Sequence, residues 1–312
     1  MKTRNKIRIG TRGSALALAQ TAEVEALLCR GYPNLHIELV PIRTGGDKNQ
    51  TSPISQIGGS NVFVREIEKA LLQKEIDMAV HSLKDLPSAL PPGLCIAGVV
   101  QRADPRDVFI SSSGKGIEAL ESGARIGTSS LRRTSQIKRY RPDLQIVPMR
   151  GSVETRLRKL DAGECEALIL AAAGVLRLDL EERITQYLPI REFVPSGGQG
   201  IIAMEVRCND EELMELAGAV GDWRSLAQSV GEREFLHVLQ GGCHTPVGCI
   251  SDTTETGEYR ITGFVADLEG KHSLQHRVVR RQGEEREAGR LCAEALLDLG
   301  GQEILKAVEN EQ

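Results

Sequence analysis

Arg8-Ile9-Gly10-Thr11 recurs as Arg125-Ile126-Gly127-Thr128, and at both places the four residues close a short apolar strand and open a helix. After the first copy, Ala15 to Cys29 carries Val24, Leu27 and Leu28 at i, i+3 and i+4, the spacing of one helical face. Leu35, Ile37 and Leu39 then alternate as a strand, Phe63, Ile67, Ala70 and Leu71 mark a second helix, and Asp77 to Val80 is a strand running into His81-Ser82-Leu83-Lys84-Asp85. Leu94 to Val100 and Asp107 to Ile110 are further strands. The second copy is followed by helix Leu131 to Tyr140, strand Leu144 to Pro148, helix Ser152 to Leu160 and strand Ala167 to Ala171. Strands and helices that alternate in this way build mostly parallel sheets covered on both faces, so the echo predicts two similar α/β halves.

Beyond Gly197-Gly198-Gln199-Gly200, strand Ile201 to Val206 and helix Asp210 to Val220 are expected to return to the first half. From Trp223 the pattern changes: a helix to Leu239, then Gly241-Gly242-Cys243-His244, period-2 segments at Tyr259 to Val265 and Leu274 to Val279, and a final helix from Glu284. That reads as a small α+β domain with an antiparallel sheet. The expected domains are 1–100 with 201–220, then 101–200, then 221–312.

The chain has 312 residues, enough for several cores, and 39 Lys+Arg against 43 Asp+Glu leave a net charge of −4. No global basic field exists to collect nucleic-acid phosphates, and aromatics at 3% offer no stacking platform, so nucleic acid is excluded as a partner. Any anion site must be local. Of the 39 cations 28 are arginine, the residue whose planar fork grips carboxylates. No stretch of 18 apolar residues and no signal peptide is visible, which predicts a cytoplasmic protein with no membrane partner. Seven widely spaced cysteines with no CxxC pair fit neither a disulfide framework nor a metal ribbon; no metal is expected, and most of the thiols should be buried and reduced.

Arg125, Arg132, Arg133, Arg139, Arg141, Arg150, Arg156 and Arg158 crowd into one stretch. Arg132 and Arg133 fall in the first turn of a helix after Gly127-Thr128-Ser129-Ser130, where backbone N–H groups and the helix dipole already favour an anion. Adjacent positive charges there cost stability until an anion arrives, so the pair is expected to stand unneutralised and to be dispensable for folding. Arg139, Arg141 and Arg158 lie among polar residues away from any glycine turn and read as ordinary surface charges. Gly10-Thr11-Arg12-Gly13-Ser14 offers the equivalent turn in the first half, with Arg12 and Ser14. Since ligands of parallel α/β sheets lie at the carboxyl ends of the strands, the two turns point to a ligand with several negative groups. Asp85, at the end of its own strand, is the carboxylate able to stabilise a developing positive charge or relay a proton. Gly241 and Gly242 let the chain bend so that Cys243 reaches a loop tip, with His244 beside it.

The ordered motifs Gly10-Thr11-Arg12, Val80 to Pro87, Arg102-Ala103-Asp104-Pro105-Arg106-Asp107, Gly127 to Arg133, Arg150 to Arg156, Gln199-Gly200 and Glu232-Arg233 leading to Gly241-Gly242-Cys243 resemble the porphobilinogen deaminase, or hydroxymethylbilane synthase, family along essentially the whole chain. The resemblance implies two domains like those of periplasmic binding proteins and a third carrying Cys243. It further implies a dipyrromethane cofactor joined to Cys243 by a thioether, onto which four porphobilinogen molecules are added head to tail with loss of ammonia, yielding the linear tetrapyrrole of porphyrin and heme biosynthesis. Uroporphyrinogen-III synthase is the implied recipient of that product, and a monomer the implied state. On this resemblance Asp85 stabilises a cationic azafulvene-like intermediate and assists proton loss. Arg12, Lys84, Arg132, Arg133, Arg150, Arg156 and Arg177 hold acetate and propionate groups, assisted by Ser82, Thr128, Ser129 and Ser130. Ser14, Ser152 and Gln199 complete the set. The chain departs from the family in its glycine-rich loop, with Gln56 and Ser60 where lysines are common and Asn61 where glycine is usual.

Two rivals belong to other classes. A two-lobed anion-binding or sensor protein shares the two-half architecture but has no use for a thiol in a third domain. A cysteine hydrolase would need Cys243 and His244 to cooperate, and neighbours in sequence rarely achieve that geometry.

Overall fold

The computed structural model describes residues 4–45, 64–242 and 245–310. They divide into two compact units, one of 1–103 with 200–229 and the other of 104–199 with 230–312.

In the first unit, β1 (Lys6–Arg12), β2 (His36–Ile42), β3 (Met78–Ser82), β4 (Leu94–Val99) and a returning strand, Ile202–Arg207, form one sheet in the order β2-β1-β3-returning-β4. β1 pairs in parallel with β2 and β3, and the returning strand runs antiparallel to both β3 and β4. The expected return of the chain to the first half is this strand. Helix α1 (Ala15–Gly31) covers one face, where Ile7, Ile9, Val24, Leu28, Met78, Val80 and Met204 pack together. Helix α2 (Arg65–Leu72) covers the other, through Ile67, Ala70, Leu71, Ile76, Ala79 and Leu94.

The second unit repeats the plan. Strands β5 (Asp107–Ser111), β6 (Arg125–Gly127), β7 (Gln145–Val147), β8 (Ala167–Ala171) and β9 (Gln186–Tyr187) lie in the order β7-β6-β8-β5-β9. β6 is parallel to β7 and β8, while β5 opposes β8 and β9. Each sheet thus holds four strands in one direction and one against, with the echoed strands β1 and β6 in the same place. Helices α3 (Leu131–Tyr140), α4 (Val153–Asp161) and α5 (Ala172–Leu176) connect this half. The returning strand is β10, followed by α6 (Glu211–Val220) and α7 (Trp223–Val238).

The echo extends to side chains. Arg8 donates from its backbone N–H (2.9 Å) and Nε (3.0 Å) to Asp77 and from Nη2 to the Lys74 carbonyl (2.8 Å). Arg125 does the same with Glu166 through its backbone N–H (2.6 Å) and Nη2 (2.6 Å), and with the Gly163 carbonyl (3.0 Å). Both arginines therefore fasten the starting end of an inner strand to the turn before its parallel neighbour. Arg125 leaves the anion-binding cluster on this account. Arg141 likewise serves structure, donating to Asp143 and to the carbonyls of Ile117, Glu118 and Leu120.

A separate antiparallel sheet of β11 (Val247–Thr253), β12 (Glu258–Ala266) and β13 (Ser273–Arg281) is backed by α8 (Glu285–Leu296) and α9 (Gln302–Asn310). Its core unites Phe235, Leu239, Val247, Tyr259, Ile261, Ala293 and Leu296. The layer joins the second unit through Val194, Phe264 and Ala266, and the Cys249 N–H bonds the Pro195 carbonyl at 2.9 Å. The fold class is therefore as expected: α/β with two mixed, mostly parallel sheets and a small antiparallel α+β part.

Candidate active site

Parallel pairing places the carboxyl ends of β1 and β3 side by side, since Gly10 lies opposite Ala79. Arg12, Ser14, Ser82, Lys84 and Asp85 are thereby gathered at one edge of the first unit. Ser14 is the N-cap of α1 and accepts the Ala17 N–H at 3.3 Å, which presents the helix N-terminus at that edge. Ser82 is held from the α1 side by Gln20, whose Nε2 donates to its hydroxyl at 2.8 Å. Leu83–Asp85 is a single 3-10 turn, with Leu83 buried beneath it and its N–H on the Ile201 carbonyl (2.9 Å). An apolar anchor between two partly exposed polar residues aims Lys84 and Asp85 away from the core.

The second unit gathers its candidates in the same way. Thr128, Ser129 and Ser130 follow β6, and Ser130 caps α3. Arg150 and Ser152 follow β7, Ser152 caps α4 by accepting the Thr155 N–H (3.2 Å), and Arg156 lies in the next turn. Ser129 ties the two turns, donating to the Met149 carbonyl (3.1 Å) and accepting its N–H (3.0 Å). Two capped helix N-termini are thus fixed side by side with Arg150 and Arg156 among them, a donor set suited to carboxylates. Arg177 follows α5, which leaves directly from the end of β8. Each unit therefore presents hydroxyls, helix N-termini and cations at its strand ends.

Arg132 and Arg133 differ from expectation. They are 4% and 7% exposed, and both ion-pair with the fully buried Asp107, at 2.7 Å each. Arg132 also donates to the Val194 carbonyl (2.8 Å) and Arg133 to that of Ile169 (3.0 Å). Gln199 adds a donor to Asp107 at 2.9 Å and one to the Pro105 carbonyl at 2.8 Å. Burial opposes ionisation of Asp107, but the two guanidinium charges and their hydrogen bonds outweigh it and hold the carboxyl well below the usual carboxylate range. The expected unneutralised pair is corrected: its counter-charge comes from the first residue of β5, far away in sequence.

Asp107 is the residue that sequence reasoning missed. It stood within Arg102-Ala103-Asp104-Pro105-Arg106-Asp107, and its place at a strand start, ahead of three apolar residues, was the available signal. Glu232 is a second case. It is buried and accepts the N–H groups of Gly198 (2.7 Å) and Ser251 (2.8 Å), so it joins the glycine segment before Gln199 to β11.

Cys243 and His244 lie outside the described residues, as do Gln56, Ser60 and Asn61. On either side of the cysteine, the Gly242 N–H donates to the Thr245 hydroxyl at 2.9 Å and the Thr245 N–H to the Gly242 carbonyl at 3.2 Å. Of the six described cysteines, Cys165, Cys249 and Cys292 are buried, and burial pushes the Cys292 thiol up to about 12. No group of metal-ligating side chains occurs among the described residues, nor any helix long and apolar enough to cross a membrane.

Residues 7–215 match the family model described as porphobilinogen deaminase, dipyromethane cofactor binding domain, and residues 226–298 match the C-terminal domain of the same family. The chain belongs to the porphobilinogen deaminase family. A porphobilinogen deaminase from Syntrophomonas wolfei is 47% identical over 299 residues, covering 96% of this chain and 97% of the relative. One from Brevibacillus brevis is 45% identical over 310 residues, covering 98% and 99%. Among solved structures the chain is similar to the Bordetella pertussis BvgS periplasmic VFT2 domain, at a TM-score of 0.43 and 15% identity over 70% of this chain and 87% of that one. That likeness says nothing of what this chain binds. Membership of the porphobilinogen deaminase family carries with it the expected enzyme, a transferase, and the domain description names the expected cofactor class.

Proposed function

We propose that the chain polymerises four porphobilinogen molecules head to tail, releasing ammonia, to form hydroxymethylbilane on a dipyrromethane primer attached to Cys243. The observation that carries this reading is the strand-end edge of the first unit, where the partly exposed Asp85 stands with Arg12, Ser14, Ser82 and Lys84, and the second unit by itself repeats such hydroxyl-and-cation turns after β6 and β7. Bound at Cys243, the dipyrromethane supplies the pyrrole terminus to which units are joined. Arg12, Lys84, Arg150, Arg156 and Arg177 hold carboxylates, with Ser14, Ser82, Thr128, Ser129, Ser130 and Ser152 as neutral donors. Asp85 stabilises the positive charge that develops as ammonia leaves an incoming pyrrole and accepts the proton released on bond formation, both tasks of a positioned carboxylate.

Arg132, Arg133 and Gln199 take a different part in this scheme. Their side chains converge on Asp107, so they hold the β6 turn and the chain segment before β10 in place, and any contact with a bound carboxylate is made by groups that this network orients. The domain roles follow: 1–100 with 201–220 carries Asp85, 101–200 the arginine-bearing turns, and 221–312 Cys243. The protein acts in the cytoplasm as a monomer and passes its product to uroporphyrinogen-III synthase.

The test is turnover of porphobilinogen by purified protein. Ammonia and a linear tetrapyrrole should appear in a ratio of about four to one, and Asp85→Ala should lower kcat by about a hundredfold or more, as loss of a general acid–base group does. Binding without ammonia release would favour a sensor instead.

A further inference from the structure

Beneath the Ser82–Asp85 turn, on the face of the first sheet covered by α2, three titratable groups are buried together. His81 is 6% exposed, Glu205 0% and Glu68 5%. His81 lies opposite Ala203 and Glu205 opposite Ala79, so the imidazole and the carboxylate are diagonal neighbours on one face of β3 and β10, with His81 Nε2 and Glu205 Oε2 3.1 Å apart. Glu68 enters from α2. The second oxygen of Glu205 and Oε1 of Glu68 have no hydrogen-bond partner among the described residues. Two carboxylates with unsatisfied oxygens in an apolar layer are costly, and cores of this kind keep such groups only when something compensates.

We propose that Glu68, His81 and Glu205 are positioning residues that hold the end of β3, and with it the Asp85 turn, by retaining a proton between the two buried carboxylates. This rests on the reading that Asp85 acts in the reaction. The charged and titratable groups acting on Glu68 are Glu205 of β10, His81 of β3 and Arg65 of its own helix. Burial first, and the charge of Glu205 second, push the Glu68 carboxyl up to about 7, while His81 and Arg65 pull the other way. With the proton on Glu68 the cluster holds one carboxylate against one imidazole. Without it, two negative charges repel between α2 and β10 beside His81, the residue before Ser82.

The folded-state value is raised, so the stability contributed by protonated Glu68 is complete below its ordinary 4.5 and is lost as pH rises to about 7. Glu68→Gln cannot ionise and should be level across that window. Infrared difference spectra of the whole protein should show a buried protonated carboxyl that disappears with a midpoint near 7, and this band should be missing from Glu68→Gln. The kcat of the unmodified enzyme should decline through the same range, and the variant should lack that limb while matching it within about twofold at acid pH. Glu205→Gln, which removes the second charge, should move the band's midpoint down. An unaltered band and an unaltered kcat profile in Glu68→Gln would overturn the proposal. If instead Asp85→Asn stays fully active while the infrared band behaves as described, the reading of Asp85 fails and the proton-holding cluster stands.

Discussion

At the scale of single residues, the decisive contrast is between Asp85 and Asp107. Asp85 sits on a 3-10 turn that its neighbour Leu83 anchors, so replacing its carboxylate should remove chemistry and spare folding. Asp107 is the reverse. Deleting one partner of a buried ion pair strands the other charge, and Asp107→Ala strands two guanidinium groups, so it should lower stability by about 3–5 kcal/mol. Arg133→Leu, which leaves Asp107 with Arg132, should cost less but still measurably, and chemical denaturation of each variant checks both. This reverses what the bare sequence suggested for Arg132 and Arg133, because charge neutralisation across 25 residues of chain leaves no local pattern. Asp107 has a depressed folded value, so its contribution is present above the ordinary 3.8 and is lost as pH falls below it. The acid limb of a melting-temperature profile should accordingly be shallower in Asp107→Asn than in the unmodified protein.

At the scale of elements, the repeated Arg-Ile-Gly-Thr is a complete local device. The arginine fastens the strand's beginning, the isoleucine enters the core and the glycine admits a neighbouring side chain; the threonine begins the turn after β6 as Thr128, whereas Thr11 is still part of β1. A Cβ on Gly127 would lie 2.7 Å from Leu168 Cδ2 and 3.1 Å from both Cys165 Sγ and Met149 Cε; one on Gly10 would collide with Ile76 Cδ1. Gly127→Ala should therefore cost about 1–3 kcal/mol, as overpacking does, and should lower turnover at permissive temperature because the Thr128–Ser130 turn shifts with it. Normal stability together with normal turnover would count against the assignment. Most elements were legible because apolar spacing and glycine turns are local signals; α3 matches its predicted limits, and Asp210 caps the helix it was read as starting. β11 was missed, since Val247, Gly248, Cys249 and Ile250 run on without alternation beside the glycine turn. The two-residue β9 and the short α5, which leaves β8 without a break, offered no period to read.

At the scale of the whole molecule, both sheets place one reversed strand fourth in order: β10 among the strands of the first unit and β5 among those of the second. The reversed strands are the ones that follow the chain's passages at 103/104 and 199/200, and the segments around them carry Asp107 and Gln199. Sequence alone predicted that the chain returns after Gly200, yet it could not show that Asp107 holds two arginines and Gln199 at once. The ligand class was legible for a simpler reason: an acidic chain rich in arginine must concentrate its cations wherever it binds carboxylates. The proposed anchoring thiol, Cys243, lies outside the described residues and rests on its glycine turn and the family motif around it.

The central claim is that a carboxylate-rich primer is covalently held at Cys243, and an intact mass spectrum of the purified protein tests it most directly. The account predicts a mass above that of the bare polypeptide by two pyrrole units, returning to the polypeptide value in Cys243→Ser. A fully active protein whose mass equals that of the unmodified chain would contradict it.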